Sequence, residues 1–176
     1  MAYTTIDDPS KYFQTALYTG NGGTLSITND GNSNLQPDWI WTKERSGTSG
    51  NQNHTITDSS RGNTKQLFVN LPSADATSSA FVTSFDSDGF SLGDNANINN
   101  NSSTYVAWQW KCNGGTTETA VDESGSNPAN VRQTNTDAGF SIITYTGTGS
   151  AGTIAHGLGV APDWIIVKGR DIATDG

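Results

Sequence analysis

Apolar and polar side chains alternate along much of the chain, most clearly in residues 104–112. Successive side chains of a β-strand point to opposite faces, so a period of two residues predicts a strand there. One face of this strand would carry Val106, Trp108, Trp110 and Cys112. The other face would carry Tyr105, Ala107, Gln109 and Lys111. We expect the tryptophan-bearing face to be buried, with Trp39 or Trp41 opposite it in a second sheet.

Short strands of this kind are predicted throughout the chain. The candidates are 14–19, 24–28, 38–43, 53–57, 66–70, 80–86, 89–93, 104–112, 139–146 and 163–168. Several are separated by dipeptides that favour turns, namely Asn21-Gly22, Asp30-Gly31, Asp88-Gly89 and Asn113-Gly114. No long window has the period of a helix, and only Asp8-Pro9 favours a short helical turn. The pattern therefore predicts an all-β fold: an antiparallel β-sandwich of lectin-like or jelly-roll type, followed by the start of a second β unit.

Two segments of the chain occur twice. Residues 13–20 (FQTALYTG) return as 140–147 (FSIITYTG), and residues 37–43 (PDWIWTK) return as 162–168 (PDWIIVK). The two spacings are 127 and 125 residues, and a repeat of that length is a whole domain rather than a solenoid unit.

The repeat divides the chain into predicted units. We predict a β-sandwich unit at 1–112, a polar linker at 113–138 and a partial second β unit at 139–176. The linker is predicted because its residues are almost all polar or small. Two strands alone are marginally stable in water, so we expect a neighbouring subunit or further chain to cover the partial unit.

The chain is acidic, with a formal net charge of −8 at pH 7 and a pI near 4.4. Such a surface does not neutralise phosphates, so we expect no nucleic-acid partner. No run approaches the length of a membrane-spanning segment, so we expect no membrane insertion. The first residues lack the pattern of a secretory signal, and Cys112 is the single cysteine. Both observations favour folding in a reducing cytosol.

Three acidic residues are the first candidates for chemistry. Asp86, Asp88 and Asp94 have the carboxylate spacing of a calcium loop. A tight hairpin turn with Gly89 at positive φ explains the same residues, and both alternatives stay open.

The two histidines are the next candidates. His54 and His156 lack neighbours at zinc-ligand spacing. Residues 156–159 (HGLG) favour a turn between paired strands instead.

The tryptophans are the remaining candidates: Trp39, Trp41, Trp108, Trp110 and Trp164. Their rings could stack on sugars as lectin aromatics do, although their alternation favours a place in the core. There is no nucleophile elbow, P-loop or dinucleotide fingerprint, and a glycosidase carboxylate pair is defined by a spatial separation. We therefore predict that the protein is not an enzyme, with no catalytic, cofactor-binding or metal residues and no cofactor.

Five blocks of the chain suggest a family. They are 8–20 (DPSKYFQTALYTG), 36–41 (QPDWIW), 58–62 (DSSRG), 84–93 (SFDSDGFSLG) and 105–111 (YVAWQWK). In this order the blocks resemble virion-associated, tail-fibre-like structural proteins of tailed bacteriophages, especially those of marine cyanobacteria. Residues 155–163 (AHGLGVAPD) resemble a strand-turn-strand segment of phage fibre modules. The second unit lacks counterparts of the last three blocks, so either the chain is part of a longer fibre or another chain completes the unit.

The resemblance implies a virion structural protein that is assembled in the host cytoplasm and serves assembly and host-surface attachment. The implied partners are other virion proteins, further copies of the chain, since phage fibres are usually trimers, and a host cell-surface glycan. It implies no catalytic residues. A carbohydrate-binding module of a secreted or surface protein is the alternative, and a capsid decoration protein or a polysaccharide-degrading spike enzyme is a weaker one.

Overall fold

The fold is all-β and antiparallel, as the alternation predicts. The computed structural model describes residues 6–47, 52–119 and 125–171, and the other parts of the predicted units lie outside the described residues. In chain order the strands are β1 (Phe13–Thr19), β2 (Leu25–Thr28), β3 (Trp39–Ser46), β4 (Thr55–Asp58), β5 (Lys65–Phe68), β6 (Ala76–Thr77), β7 (Val82–Asp86), β8 (Gly89–Leu92), β9 (Thr104–Trp110), β10 (Glu118–Thr119), β11 (Asn130–Asn135) and β12 (Phe140–Tyr145). A 3-10 turn (Pro9–Lys11) precedes β1, and the short helix α1 (Ala96–Asn99) precedes β9.

Two sheets face each other and form the sandwich. The main sheet has the strand order β1-β9-β3-β4-β5-β6, and the small sheet has the order β2-β8-β7. In the main sheet, β9 pairs with β1 on one side and with β3 on the other. A third sheet, β10-β11-β12, contacts the sandwich near the end of β9.

The core lies between the main sheet and the small sheet. The small sheet supplies two large side chains, Phe90 and Leu92, which are fully buried. The main sheet contributes smaller ones, including Ala16 and Ala107, to the same cluster. Large residues of one sheet thus fill the space left by small residues of the other, which gives a close-packed interior.

The turn residues act as the sequence predicts. Gly89 connects β7 to β8 with φ of +108°, a conformation that glycine adopts without steric penalty. Asp8 caps the 3-10 turn, and its carboxylate accepts a hydrogen bond from the N–H of Ser10 at 3.0 Å. Both predictions are confirmed.

The prediction for the two faces of β9 is wrong. The fully buried side chains are Tyr105, Ala107 and Gln109. The half-buried side chains on the outer face are Val106, Trp108 and Trp110. Trp39 and Trp41 lie beside them on the same face, in β3, and not in the opposite sheet. A period of two indicates that a strand has two faces, but the small sheet covers the face whose small residue, Ala107, leaves room for Phe90.

The segment predicted as a linker contains β10 and β11. Its main anchor is Gln133 of β11, which is fully buried. The Gln133 side-chain amide donates to the hydroxyls of Ser59 and Ser60 at 2.9 and 2.7 Å. Its carbonyl accepts the N–H of Gly115 at 2.9 Å. Hydrogen bonds rather than apolar burial hold this segment in place. The segment therefore needs few apolar residues, and its composition is as polar as that of a linker. The division of the chain into two units stays a prediction.

The predicted strand at 163–168 is wrong. Within the described residues after β12, from 146 to 171, no strand is formed. The segment keeps its apolar side chains in solvent, with exposed fractions of 67% for Trp164, 69% for Ile165 and 60% for Val167. Alternation favours an extended conformation, but a strand also requires a hydrogen-bonded partner along its edge. The HGLG segment before it bends, as predicted, but it does not join paired strands.

Candidate functional site

The outer surface of the main sheet carries a ladder of aromatic rings. We call it the aromatic face, and its members are Phe13, Trp39, Trp41, Trp108 and Trp110. The register places Trp39 beside Trp110 and Trp41 beside Trp108. Cross-strand neighbours on one face of a sheet are in side-chain contact, so two Trp-x-Trp pairs, distant in sequence, form one continuous surface.

One half of the aromatic face is covered. Trp110 contacts Phe13 with ring centroids 4.8 Å apart and Trp39 at 6.1 Å. Phe140 of the third sheet stacks on Trp110 at 6.0 Å and contacts Trp39 at 5.4 Å. The indole N–H of Trp39 is buried there. We call this the closed half, since Phe140 of the third sheet lies against two of its rings.

The other half, which we call the open half, is formed by Trp41 and Trp108 with Thr15, Leu17 and His54. The Trp41 and Trp108 rings meet edge to face at 5.8 Å. Leu17 of the neighbouring β1 is 64% exposed, and Thr15 is exposed beside Trp108. Contiguous apolar surface that stays partly exposed is typical of binding surfaces. The open half is therefore the strongest candidate site.

A hydrogen bond fixes the orientation of Trp41. The indole N–H of Trp41 donates to Nδ1 of His54 at 3.2 Å, and the two rings meet edge to face at 5.8 Å. This bond requires Nδ1 to be unprotonated. Burial, and secondarily the charge of Lys43, lowers the pKa of His54 from its ordinary value of 6.5. The neutral imidazole that the bond needs is thus the favoured form at neutral pH.

Acidification is expected to release Trp41 from His54. Because the folded-state pKa is lowered, the unfolded chain binds more protons on His54 as pH falls. The stabilisation from neutral His54 is therefore complete above pH 6.5 and is lost as pH falls through the folded-state pKa. Urea unfolding at pH 7.5 and 5.0, with tryptophan emission as the signal, should show a smaller pH effect in His54→Gln than in the native chain. Equal pH effects in both proteins would contradict the assignment.

The open half can offer a flat aromatic platform with polar groups at its margin. Trp41 and Trp108 present apolar ring surface, and Thr15 adds a hydroxyl that can donate or accept. Such a surface suits a ligand with both C–H and O–H faces, as a saccharide has.

The buried acidic and thiol groups serve the fold. The Asp38 carboxylate is fully buried and accepts the N–H groups of Cys112, Gly114 and Gly115 at 2.6, 2.9 and 2.9 Å. Burial, and then the charge of Asp38, raises the pKa of the Cys112 thiol to about 12. A buried thiol with so high a pKa is not a nucleophile at neutral pH.

The structure places two of the predicted calcium carboxylates, Asp86 and Asp88, in the hairpin between β7 and β8, whereas Asp94 follows β8. The Asp86 carboxylate accepts from the hydroxyls of Ser84 and Ser91 at 2.6 and 2.8 Å. Asp88 accepts the N–H of Leu35 at 3.2 Å. These bonds account for both side chains as turn residues. Over 6–47, 52–119 and 125–171, no three His, Cys, Asp or Glu side chains converge as metal ligands would.

The histidines are not brought together. His54 belongs to the open half, whereas His156 caps a bend, where its Nδ1 accepts the N–H of Leu158 at 3.2 Å.

In the part of the chain that the structure describes, no helix is long and apolar enough to cross a membrane.

The sequence contained a signal for the aromatic face, which the prediction of a buried tryptophan face did not use. Trp39 and Trp41 are two residues apart, as are Trp108 and Trp110. Two such pairs on neighbouring strands form one ladder on one face of a sheet, whereas a sandwich core interleaves large residues with small ones across two sheets.

Comparison with known proteins identifies the family of the chain. No curated protein and no solved structure matches the chain. A family model described as a domain of unknown function, DUF7483, matches residues 8–176. The match runs through the sandwich, the third sheet and the exposed segment that follows. The chain therefore belongs to the DUF7483 family.

Proposed function

We propose that this protein is a bacteriophage virion structural protein, a tail fibre or fibre-like appendage that serves assembly and host-surface attachment. The proposal rests first on the resemblance of the five sequence blocks. Three of these blocks carry strands of the aromatic face, because 8–20 contains β1, 36–41 contains the start of β3 and 105–111 covers most of β9.

The single observation that carries the attachment role is the open half of the aromatic face. Trp41 is fixed by its bond to His54 at 3.2 Å, and Trp108 lies beside it. A ring that is held in place before binding loses less conformational entropy when a ligand stacks on it. We propose a host cell-surface glycan as the ligand, because the platform combines apolar rings with neighbouring hydroxyl groups.

The assembly role rests on the exposed apolar side chains of the C-terminal segment, which include Val160, Trp164 and Ile165. Contiguous apolar surface in solvent favours association with another protein. We propose that other virion proteins and further copies of the chain are its partners, within a particle assembled in the host cytoplasm. The formal charge of −8 is unfavourable for nucleic acid, which is not among the proposed partners.

A second candidate uses the same open half. A carbohydrate-binding module of a secreted or surface protein would also need an aromatic platform, so the rings favour both functions equally. The two differ in location: a virion protein purifies with particles and a secreted module does not. A capsid decoration protein would label the head rather than the tail.

Two measurements test the proposal. Antibodies against the chain, with gold detection, should label the tails of purified particles. Absence of the chain from particles would refute the virion role and favour the secreted module.

Replacement of Trp108 with alanine is expected to weaken binding on a glycan array. A tryptophan at the centre of an interface typically contributes about 2 kcal/mol or more, so the affinity should fall roughly 30-fold. Trp108→Phe, which keeps a ring, is the matched variant and should retain most of the binding. Val131→Ala, at an exposed position of β11, is a control that should change nothing. Equal binding by Trp108→Ala and the native chain would exclude the open half as the glycan site.

A further inference from the structure

The outer face of β3 changes from aromatic to cationic along its length. Trp39 and Trp41 belong to the aromatic face, and Lys43 follows Trp41 on the same face, two residues further along the strand. Lys43 lies opposite Val106 of β9, and Val106 lies opposite Leu17 of β1. The open half of the aromatic face therefore has a cation at this border.

A β-bulge adds a second cation at the same border. The register of β3 against β9 shifts between Glu44 and Ser46, so Arg45 is the inserted residue. Ser46 lies opposite Thr104, and their hydroxyls are hydrogen-bonded at 2.8 Å. Arg45 is exposed beside them. Bulges redirect side chains and are frequent next to functional sites. We call Lys43 and Arg45 the cationic border.

The cationic border keeps its positive charge. Within the described residues, neither Lys43 nor Arg45 forms a salt bridge, and the ion pairs found there involve other side chains. Glu44 is buried on the opposite face of β3, where its carboxylate accepts the N–H of Gln52 at 3.3 Å. Residues 46–53 (SGTSGNQN) include no acidic residue. Two cations without a carboxylate beside them stand out in a chain with 17 acidic and 9 basic residues.

Lys43 is held in place and keeps a donor for a ligand. Its Nζ donates to the carbonyl oxygens of Glu44 and Gln52 at 3.1 and 2.9 Å. An ammonium group has three N–H donors, so one remains after these two bonds. The charge of Lys43 also reaches the open half, since it is the second cause, after burial, that lowers the pKa of His54.

We propose that the open half and the cationic border together form a binding site for acidic saccharides. A sugar ring stacks on Trp41 and Trp108, and an anionic substituent of the same glycan, a carboxylate, sulfate or phosphate, binds Lys43 and Arg45. The inference rests on the proposed glycan-binding function and names the class of glycan.

Charge complementarity favours an acidic glycan over a neutral one. Hydrogen bonds from a cation to an anionic group are about twice as strong as those between neutral groups. A neutral sugar would stack on the same rings but would give the cationic border no ionic partner. The net charge of −8 disfavours anions over the rest of the surface. The border therefore supplies specificity, and the rings supply contact area.

A glycan array with matched pairs tests the proposal on the full chain. Each acidic glycan is printed beside its neutral form: sialylated and desialylated, uronate and its methyl ester, sulfated and unsulfated, phosphorylated and unphosphorylated. The native chain should bind the acidic member of at least one pair roughly tenfold more tightly, as loss of a hydrogen bond to a charged group implies. The pair with the largest preference identifies the anionic group.

Salt gives an independent measure of the ionic contact. A rise in salt from about 0.1 to about 1 M shortens the screening length from about 10 to about 3 Å. The preference for the acidic member should shrink accordingly, whereas affinity for the neutral member should not fall.

Variants of the cationic border locate the charge that is recognised. Lys43→Gln and Arg45→Gln should each reduce the preference several-fold and leave the affinity for the neutral member unchanged, because the rings stay in place. Lys43→Arg keeps the charge and should keep the preference. Lys11→Gln removes the same charge from an exposed position in the 3-10 turn before β1 and is the matched control. Because the readout is a ratio within one protein, a partial loss of folded chain affects both members equally.

The outcomes separate this inference from the proposed function. Equal affinity for acidic and neutral members would overturn the inference and leave the glycan-binding role intact. A preference that both Lys43→Gln and Arg45→Gln retain in full would overturn it as well. Binding to none of the glycans would refute the attachment role itself, and the inference would fail with it.

Discussion

Asp38→Ala is expected to lower the free energy of unfolding by about 3–5 kcal/mol, because several buried donors lose their acceptor. The carboxylate accepts the N–H groups of Cys112, Gly114 and Gly115 and the hydroxyl of Ser59. It thus joins the start of β3 to the chain that leaves β9. A loss of this size is a large part of the total stability of a typical domain, and chemical denaturation monitored by circular dichroism measures it.

The chain contains its own control for this substitution. Asp163 occupies the same place in the repeated Pro-Asp-Trp-Ile motif but is exposed. Asp163→Ala should change the free energy of unfolding by less than about 0.5 kcal/mol, as surface substitutions usually do. A similar loss of unfolding free energy in both variants would contradict this explanation, because only Asp38 has the buried hydrogen bonds.

Phe90→Ala is expected to cost about 3–5 kcal/mol of unfolding free energy, the usual range for a buried phenylalanine. Phe90 is fully buried in the small sheet, where it packs in one cluster with Ala16 and Ala107. The small residues opposite cannot fill the space that a missing ring leaves. Thermal and urea unfolding of the variant measure the loss.

Trp108→Ala is the matched comparison for Phe90→Ala. Since Trp108 lies half-buried on the outer face, we expect a loss of only about 1–2 kcal/mol from the smaller area removed from water. The variant should therefore stay folded and usable in binding assays. A larger loss from Trp108→Ala than from Phe90→Ala would contradict the assignment of the two faces.

The strands of the sandwich could be predicted because local rules determine them. Residues 104–112 alternate over their full length, and β9 occupies 104–110 of them. Asp88-Gly89 is a hairpin signal, and β7 and β8 meet there. In each case the pattern of a few neighbouring residues is sufficient, and no distant contact is needed.

The core face of β9 could not be predicted in the same way. Tyr105 and Ala107 are apolar on one side, and Trp108 and Trp110 are apolar on the other. Which side is buried depends on the strands that cover it, and the periodicity of β9 itself carries no information about those strands. The alternation therefore favours a core position for the tryptophans and allows a ligand platform only as the alternative.

Two further differences between the predicted and the observed strands also arise from contacts that a local pattern does not contain. β11 (NVRQTN) has no apolar alternation. It is held in place by the hydrogen bonds of Gln133 to Ser59 and Ser60, which a search for alternating apolar residues does not detect. Segment 163–168 has the alternating pattern of a strand, but it forms none in the structure. Sequence periodicity reports on the side chains of a segment, whereas a sheet also depends on the backbone of its neighbours.

Cys112 makes the docking of the third sheet measurable as a rate. It is the single cysteine of the chain, it is 3% exposed, and its Sγ lies 3.5 Å from the carbonyl oxygen of Phe140. Because Phe140 begins β12, movement of β12 away from the sandwich would expose this thiol to an alkylating reagent. The alkylation rate, divided by that of a free cysteine at the same pH, gives the fraction of time for which the sheet is detached. The reactivity of one native side chain thus reports how often the third sheet detaches, and no label or substitution is needed.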